Sequence, residues 1–143
     1  MGRQRAGRFD APAVVGGVMA GITLDAGGLI ALERNERRVI VLLARAAETD
    51  SQITVPATAL AQVIRRRERQ VRLSRLVRQP TTEVVALDRR DAVDVGRLLA
   101  ASGSTDVVDA HVVLCARRAK TGIATSDVDD LRALDPAVPL IRV

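Results

Sequence analysis

Apolar residues follow two kinds of pattern along this chain. Short runs without a helical period predict buried strands, and longer stretches with apolar residues every three or four positions predict helices. The predicted strands are residues 21–25, 52–55, 83–87, 123–125 and 138–143. The predicted helices are 29–34, 36–48, a helical region opening at 56–58, 91–101 and 106–120. Strands that alternate with helices predict an α/β fold with a parallel sheet covered on both faces.

Acidic residues recur at one edge of this predicted sheet. The helix 106–120 is apolar nearly all round, which predicts a buried helix, yet Asp106 and Asp109 lie on one face of its first turn. Asp25 ends the first strand, and Asp127 follows the strand 123–125. Because ligand sites in such sheets form beyond the carboxyl ends of the strands, we expect these acids to meet in one crevice.

Each acid, taken alone, also has a simpler interpretation. Asp106 can cap its helix with Asp109 as a partner, and Asp127 can cap a helix that starts near Val128. Several unpaired carboxylates in one crevice repel one another, and a hard divalent cation relieves that repulsion. The coincidence therefore predicts a Mg²⁺ or Mn²⁺ site with Asp25, Asp109 and Asp127, and with Asp106 as either a ligand or only a cap.

The composition restricts the class of protein. One Phe and no Trp or Tyr predict an aliphatic core for a single domain of 143 residues. A single Cys and a single His exclude an internal disulfide and a zinc cluster, and suit a cytoplasmic location. No apolar run is long enough to predict a membrane span.

The first 18 residues are set apart from the rest. Residues 1–18 show no period and are rich in Gly, so we expect a disordered extension or a start codon placed too early, with the domain covering 19–143. Met19 is then the natural first residue. An export signal is the alternative, but Gly16 and Gly17 break its apolar stretch.

The basic residues predict a polyanionic partner. The net charge is +5, and arginines are concentrated between Arg65 and Arg78. We expect Arg65, Arg69 and Arg72 to contact RNA phosphates, since the guanidinium fork matches phosphate oxygens; a solvated helix face is the alternative. An acidic metal site beside a basic surface is suited to phosphodiester hydrolysis.

Three further expectations concern packing. On the helical region after residue 56, Leu60, Val63, Ile64, Val71, Leu76 and Val77 are expected to face inward. His111 is expected at a helix-side surface or an interface, because it points away from the acid face. Cys115 is expected in the core.

Four short motifs resemble, in order and spacing, those of the PIN domain. They are 24–32 (LDAGGLIAL), 56–63 (from PA to AQV), 108–110 (VDA) and 125–127 (TSD). From 21 to 143 the chain is most similar to the VapC ribonuclease toxins of bacterial toxin–antitoxin pairs, in particular the actinobacterial type. The resemblance implies a three-layer α/β/α fold, a homodimer and a VapB-type antitoxin that blocks the acidic site. It also implies a Mg²⁺- or Mn²⁺-dependent endoribonuclease that cuts structured RNA of the tRNA or rRNA class.

The family's acids are carried over one by one. Asp25 matches the first, Asp109 the third and Asp127 the fourth, while Asp106 matches an extra acid near the third. The second is normally a Glu, and here that position is Gln62, whose amide has no charge and takes no proton. The alternative function is therefore a PIN module that binds RNA or an antitoxin and cleaves poorly.

Two questions remain about the acids: whether another residue replaces the missing second acid, and whether a different class of Mg²⁺-binding domain fits the sequence. Glu33, on the helix after Asp25, is a candidate substitute for the missing carboxylate, a question that the sequence leaves open. A phosphorylatable receiver domain also gathers acids around Mg²⁺, but Leu87-Asp88 and Val143 do not supply its pair of an acceptor Asp and a Lys.

Overall fold

The computed structural model describes residues 21–65 and 70–143. Its strands are β1 (Gly21–Leu24), β2 (Gln52–Pro56), β3 (Thr82–Val85), β4 (Gly122–Thr125) and β5 (Leu140–Arg142). Its helices are α1 (Ala26–Glu33), α2 (Arg37–Glu48), α3 (Ala57–Ile64), α4 (Val71–Val77), α5 (Arg89–Ser102), α6 (Val107–Ala119) and α7 (Val128–Leu134).

The strands form one parallel sheet in the order β3-β2-β1-β4-β5. Ile22 is paired with Ile53 of β2, and Thr23 with Ile123 of β4. The chain adds β2 and β3 on one side of β1, and β4 and β5 on the other. The switch point of the sheet therefore lies between β1 and β4, where the carboxyl ends of the strands leave a crevice. The predicted α/β fold, a three-layer α/β/α sandwich with a central parallel sheet, is confirmed.

Helix α6 is the central helix of one layer. It packs on β1, β2 and β4, and its apolar residues from Ala110 to Ala116 are all buried, as predicted. It also contacts α5 and α7, whereas α1 packs with α2, α3 and α4. The amino end of α6 consequently lies against the strands that flank the switch point.

Helix α1 begins at Ala26, three residues earlier than the start predicted at Leu29. The two glycines that suggested a turn are helical instead. A Cβ on Gly28 would lie 2.7 Å from the carbonyl oxygen of Ala124, and one on Gly27 would lie 2.3 Å from Ser126 Oγ. These glycines allow α1 to start in close contact with the end of β4.

The predicted inward face after β2 is only partly correct. Val63 and Leu76 are buried, but Ile64 is 50% and Val71 is 44% exposed, so both were assigned wrongly. The reason is that α3 and α4 are separate helices, and one helical period does not run through both. Leu73, 1% exposed, is a core residue of α4 that the pattern missed.

The predicted boundary after residue 18 lies outside the described residues and stays a prediction. Across 21–65 and 70–143, no single helix has the length and apolar character of a membrane span. Helices α5 and α6 meet that criterion only as a pair, and the pair is bent by 109°.

Candidate metal site at the carboxyl edge of the sheet

Asp25 lies directly after β1 and is buried. Its Oδ1 accepts a hydrogen bond of 2.7 Å from the Gly28 amide, so the side chain caps α1. Burial raises the pKa of Asp25, the Thr125 side chain and the Gly28 amide lower it, and the charge of Asp127 raises it again. The carboxyl group is thus held in a fixed, poorly hydrated place beside the end of β4.

Asp109 is the half-buried member of the group, on the first turn of α6. Burial, followed by the negative charges of Asp106, Asp25, Asp127 and Asp130, raises its pKa to about 7. The Asp109 amide donates a hydrogen bond of 2.9 Å to Asp106 Oδ1, so Asp106 does cap α6. Asp109 is therefore within electrostatic reach of every other acid at this edge.

Asp127 behaves differently from the two capping aspartates. It follows β4, and its backbone amide donates a hydrogen bond of 2.8 Å to Thr125 Oγ1. Although it precedes α7, its side chain makes no capping hydrogen bond. Loss of hydration and the neighbouring Asp130 raise its pKa. Its carboxylate is exposed and lies beside Asp130 at the start of α7.

These carboxylates have no positively charged neighbour in the described parts of the chain. Ion pairs there join Arg97 and Arg118 to Asp94, Arg118 to Asp91, and Arg117 to Asp135, and none of them involves the acids at the carboxyl edge. We call Asp25, Asp106, Asp109 and Asp127 the acid edge.

The donors of the acid edge fit a hard cation in their chemistry, because they are all oxygens and carry uncompensated negative charge. Asp25, Asp109 and Asp127 are the side chains that would hold Mg²⁺ or Mn²⁺. In the described ranges, however, no three Asp, Glu, His or Cys side chains already lie close enough together to bind one ion. The acids are near enough to raise one another's pKa but do not form a closed set of ligands.

Gln62 and Glu33 were the two residues in question for the missing carboxylate. Gln62 is exposed on α3. Glu33 Oε2 accepts a hydrogen bond of 3.0 Å from the Leu73 amide, near the start of α4. Glu33 lies at the opposite end of α1 from Asp25. The eight residues of α1 separate the two by about 12 Å. Glu33 therefore serves α4 and does not replace the second acid.

His111 is fully buried, so its predicted place at a surface was wrong. It lies on the face of α6 that meets α3, and its Nδ1 lies 2.7 Å from Thr58 Oγ1. Burial lowers the pKa of His111, while the Ala86 backbone and Asp88 act in the opposite direction. A helix that is apolar all round buries its one polar ring as well, and Nδ1 of the ring connects α6 to α3, the helix that follows β2.

The predicted RNA-binding arginines lie away from the acid edge where they are described. Arg65 is exposed just after α3. Arg72 is exposed on α4, and its Nη1 donates 3.4 Å to the carbonyl oxygen of Glu33, at the far end of α1. Arg69 lies outside the described residues.

Sequence reasoning overlooked another arginine pair, Arg89 and Arg90. Both are exposed and begin α5, soon after β3 ends. They are thus on the carboxyl edge of the sheet. The signal was available, since polar residues that follow a strand were the argument for Asp25 and Asp127.

No family model and no curated protein matches this chain. Solved structures do. A chain of VapBC2 from Rickettsia felis, bound to a DNA fragment from their promoter, superposes with a TM-score of 0.63 at 13% identity, covering 85% of this chain and 98% of that one. A chain of FitAB bound to an IR36 DNA fragment superposes with a TM-score of 0.58 at 16% identity, covering 85% of this chain and 94% of that one. A chain of FitAcB from Neisseria gonorrhoeae superposes with a TM-score of 0.58 at 17% identity, covering 84% of this chain and 96% of that one. The chain therefore has the fold of the VapC-like PIN proteins, as its four motifs predicted.

Proposed function

We propose that this chain is a Mg²⁺- or Mn²⁺-dependent endoribonuclease of the toxin–antitoxin kind, which cleaves phosphodiester bonds in structured RNA of the tRNA or rRNA class. The observation that carries the proposal is the acid edge. Asp25, Asp109 and Asp127 converge at the switch point of a parallel sheet without a positive partner among the described side chains, and their pKa values are raised. A cluster of that kind is costly unless it serves a ligand.

The side chains have distinct parts in such a reaction. A bound divalent cation would supply a water of lowered pKa and neutralise charge on the transition state. Asp25 would give that cation a fixed anchor, because its hydrogen bond to Gly28 fixes its rotamer. Asp109, with a pKa raised to about 7, can hold or release a proton near neutral pH when no cation is bound. Asp106, although it caps α6, is exposed and keeps a second oxygen for a ligand.

The proposal includes protein partners. The similar structures include complexes called VapBC2 and FitAB, which favours a VapB-type antitoxin for this chain, with cytoplasmic action and a homodimer as further parts of the proposal. Several apolar side chains are exposed on separate helices and offer area to a protein partner: Val41, Ile64 and Val71. Co-purification with the product of an adjacent small reading frame, followed by mass measurement of the complex, tests this part.

The activity itself is tested by cleavage of a labelled tRNA and a labelled rRNA fragment. The purified chain should produce discrete fragments with Mn²⁺ or Mg²⁺ and none with excess chelator. Equal cleavage with and without chelator would contradict the proposed metal dependence.

A second candidate is a PIN module that binds RNA or an antitoxin and cleaves poorly. Two observations favour it: Gln62 supplies no charge, and no three potential ligands in the described ranges are already gathered. The two functions differ in one result. The second candidate binds RNA or the antitoxin but shows little or no cleavage at saturating Mn²⁺.

A further inference from the structure

We propose that Arg89 and Arg90 form a binding site for the RNA backbone beside the acid edge; this inference rests on the proposed function. The pair holds phosphates next to the one that is cut, so that the strand crosses the carboxyl ends of the sheet from β3 to β1.

The position of the pair is the first argument. Both residues follow β3, which is separated from β1 by β2 alone, and strands in a sheet are about 5 Å apart. Helix α5, which the pair begins, packs against α6, the helix that carries Asp109 in its first turn. The arginine pair and the acid edge are therefore neighbours on one rim.

The second argument is that the two guanidinium groups are available. Arg117 and Arg118 are in ion pairs with aspartates, whereas Arg89 and Arg90 are exposed and form no ion pair with any described residue. Together with Asp88 and Val93 they line a shallow depression that is open to solvent. An exposed, unpaired arginine fork is suited to phosphate oxygens.

The composition of the depression selects the part of RNA that binds there. Asp88 adds a negative charge, but its Oδ1 already accepts a hydrogen bond of 2.8 Å from the Asp91 amide at the start of α5. The helix end is thus capped, and the contact to an anion falls to the arginine side chains. Val93 is exposed and the depression has no aromatic side chain, so base stacking does not contribute. Backbone phosphates are the group that fits.

Salt dependence of RNA binding tests the inference. The probe is a short single-stranded RNA of mixed sequence with a fluorescent label, and the anisotropy is measured with chelator present so that nothing is cleaved. The variant is Arg89→Gln with Arg90→Gln. The matched control is Arg37→Gln with Arg38→Gln, an exposed arginine pair that begins α2, after the far end of α1. Each pair removes two charges from the first turn of a helix.

We expect the plot of log affinity against log salt to lose about 0.7 units of slope per lost phosphate contact in the Arg89 and Arg90 variant, so about 1.4 in all. Arg89→Gln alone and Arg90→Gln alone should each lose about half of that slope, and the control keeps the wild-type slope. Equal slopes in all proteins, an equal loss in both pairs, or no binding by the wild type would overturn the inference.

The same proteins distinguish this inference from the proposed function. Cleavage with Mn²⁺ is assayed separately on the wild type. A wild type that binds with the expected slopes but never cleaves rejects the nuclease and supports the backbone site. A wild type that cleaves, with slopes that do not respond to Arg89 and Arg90, supports the nuclease and rejects the backbone site.

Discussion

Aspartates at two places in this molecule are in opposite electrostatic situations. At the junction of α5 and α6, Asp91 is buried but paired with Arg118, which also holds Asp94 at 2.9 Å. At the acid edge, Asp25 is equally buried, Asp109 is half-buried, and neither has a positive partner among the described residues. At this second place, burial raises the pKa values of Asp25 and Asp109.

The difference separates stability from function. A buried carboxylate that is paired with an arginine links two helices, and removing its charge leaves the arginine without its buried partner. Carboxylates that repel one another weaken the fold until a cation arrives. The partners of an aspartate therefore distinguish a structural ion pair from the proposed metal site, and substitutions at the two places should have opposite effects.

The largest expected effect is the loss of activity in Asp109→Asn. The variant should cleave RNA at least about 100-fold more slowly than the wild type. This is more than the loss of activity usually caused by substituting a residue that only contacts a metal ligand. Its metal-free stability should rise or stay equal, because one of the repelling charges is gone. Cleavage rates with Mn²⁺ and thermal melts with chelator measure the two effects. A variant that loses activity only because it melts at a lower temperature would contradict this explanation.

Asp91→Asn should do the reverse. It leaves Arg118 with one partner and weakens the junction of α5 and α6, so we expect a loss of about 1–3 kcal/mol in the free energy of unfolding. Urea unfolding measures it, with the more exposed Asp94→Asn as the control, for which about 1 kcal/mol or less is expected. Activity per folded molecule should not change. An unaltered stability in Asp91→Asn would show that the buried ion pair adds nothing.

Gln62→Glu sharpens the comparison by adding a charge at the position of the family's second acid. Because the side chain is exposed and screened, the expected gain is about 1 kcal/mol, or about 5-fold in Mn²⁺ affinity. Cleavage rates at subsaturating Mn²⁺ measure this gain. Identical rates in both proteins would place residue 62 outside the metal site.

The smallest effect concerns pH. The pKa of Asp109 is raised to about 7 in the folded protein, so the fold prefers the protonated form more than the unfolded chain does. Its stabilising contribution is complete below the unfolded pKa of 3.8 and is lost as the pH rises to about 7. Between about pH 5 and pH 8 the full shift would correspond to about 2–3 kcal/mol. Because solvent screens the half-buried Asp109, we expect stability without metal to fall by about 1 kcal/mol, and by less in Asp109→Asn. Urea unfolding at several pH values measures this trend, and an equal fall in both proteins would assign it to other groups.

Much of the fold followed from the sequence because its signals are local. The buried α6 and the strands before Asp25 and Asp127 were recognisable from apolar runs alone. The exposure of Ile64 and Val71 was not, since it depends on how α3 and α4 are separated. Likewise, His111 was misplaced because residue spacing indicates a direction on a helix but not what packs there.

For the candidate site, the sequence identified the acids but not their surroundings. Strand ends predicted that Asp25 and Asp127 would meet at one edge, and the structure has both there. The role of Glu33 depended on a contact with Leu73, forty residues away, which no local pattern contains. Similarly, Arg89 and Arg90 gained importance only when the strand order put β3 on the same rim as the acids.

Titration of Mn²⁺ by calorimetry into the wild type, Asp109→Asn and Asp94→Asn tests the central claim most directly. If the unpaired aspartates form a metal site, the wild type and Asp94→Asn bind Mn²⁺ alike, and Asp109→Asn binds at least about 10-fold more weakly. No Mn²⁺ binding by the wild type, or equal affinity in all three proteins, would contradict the claim that the acid edge is a metal site.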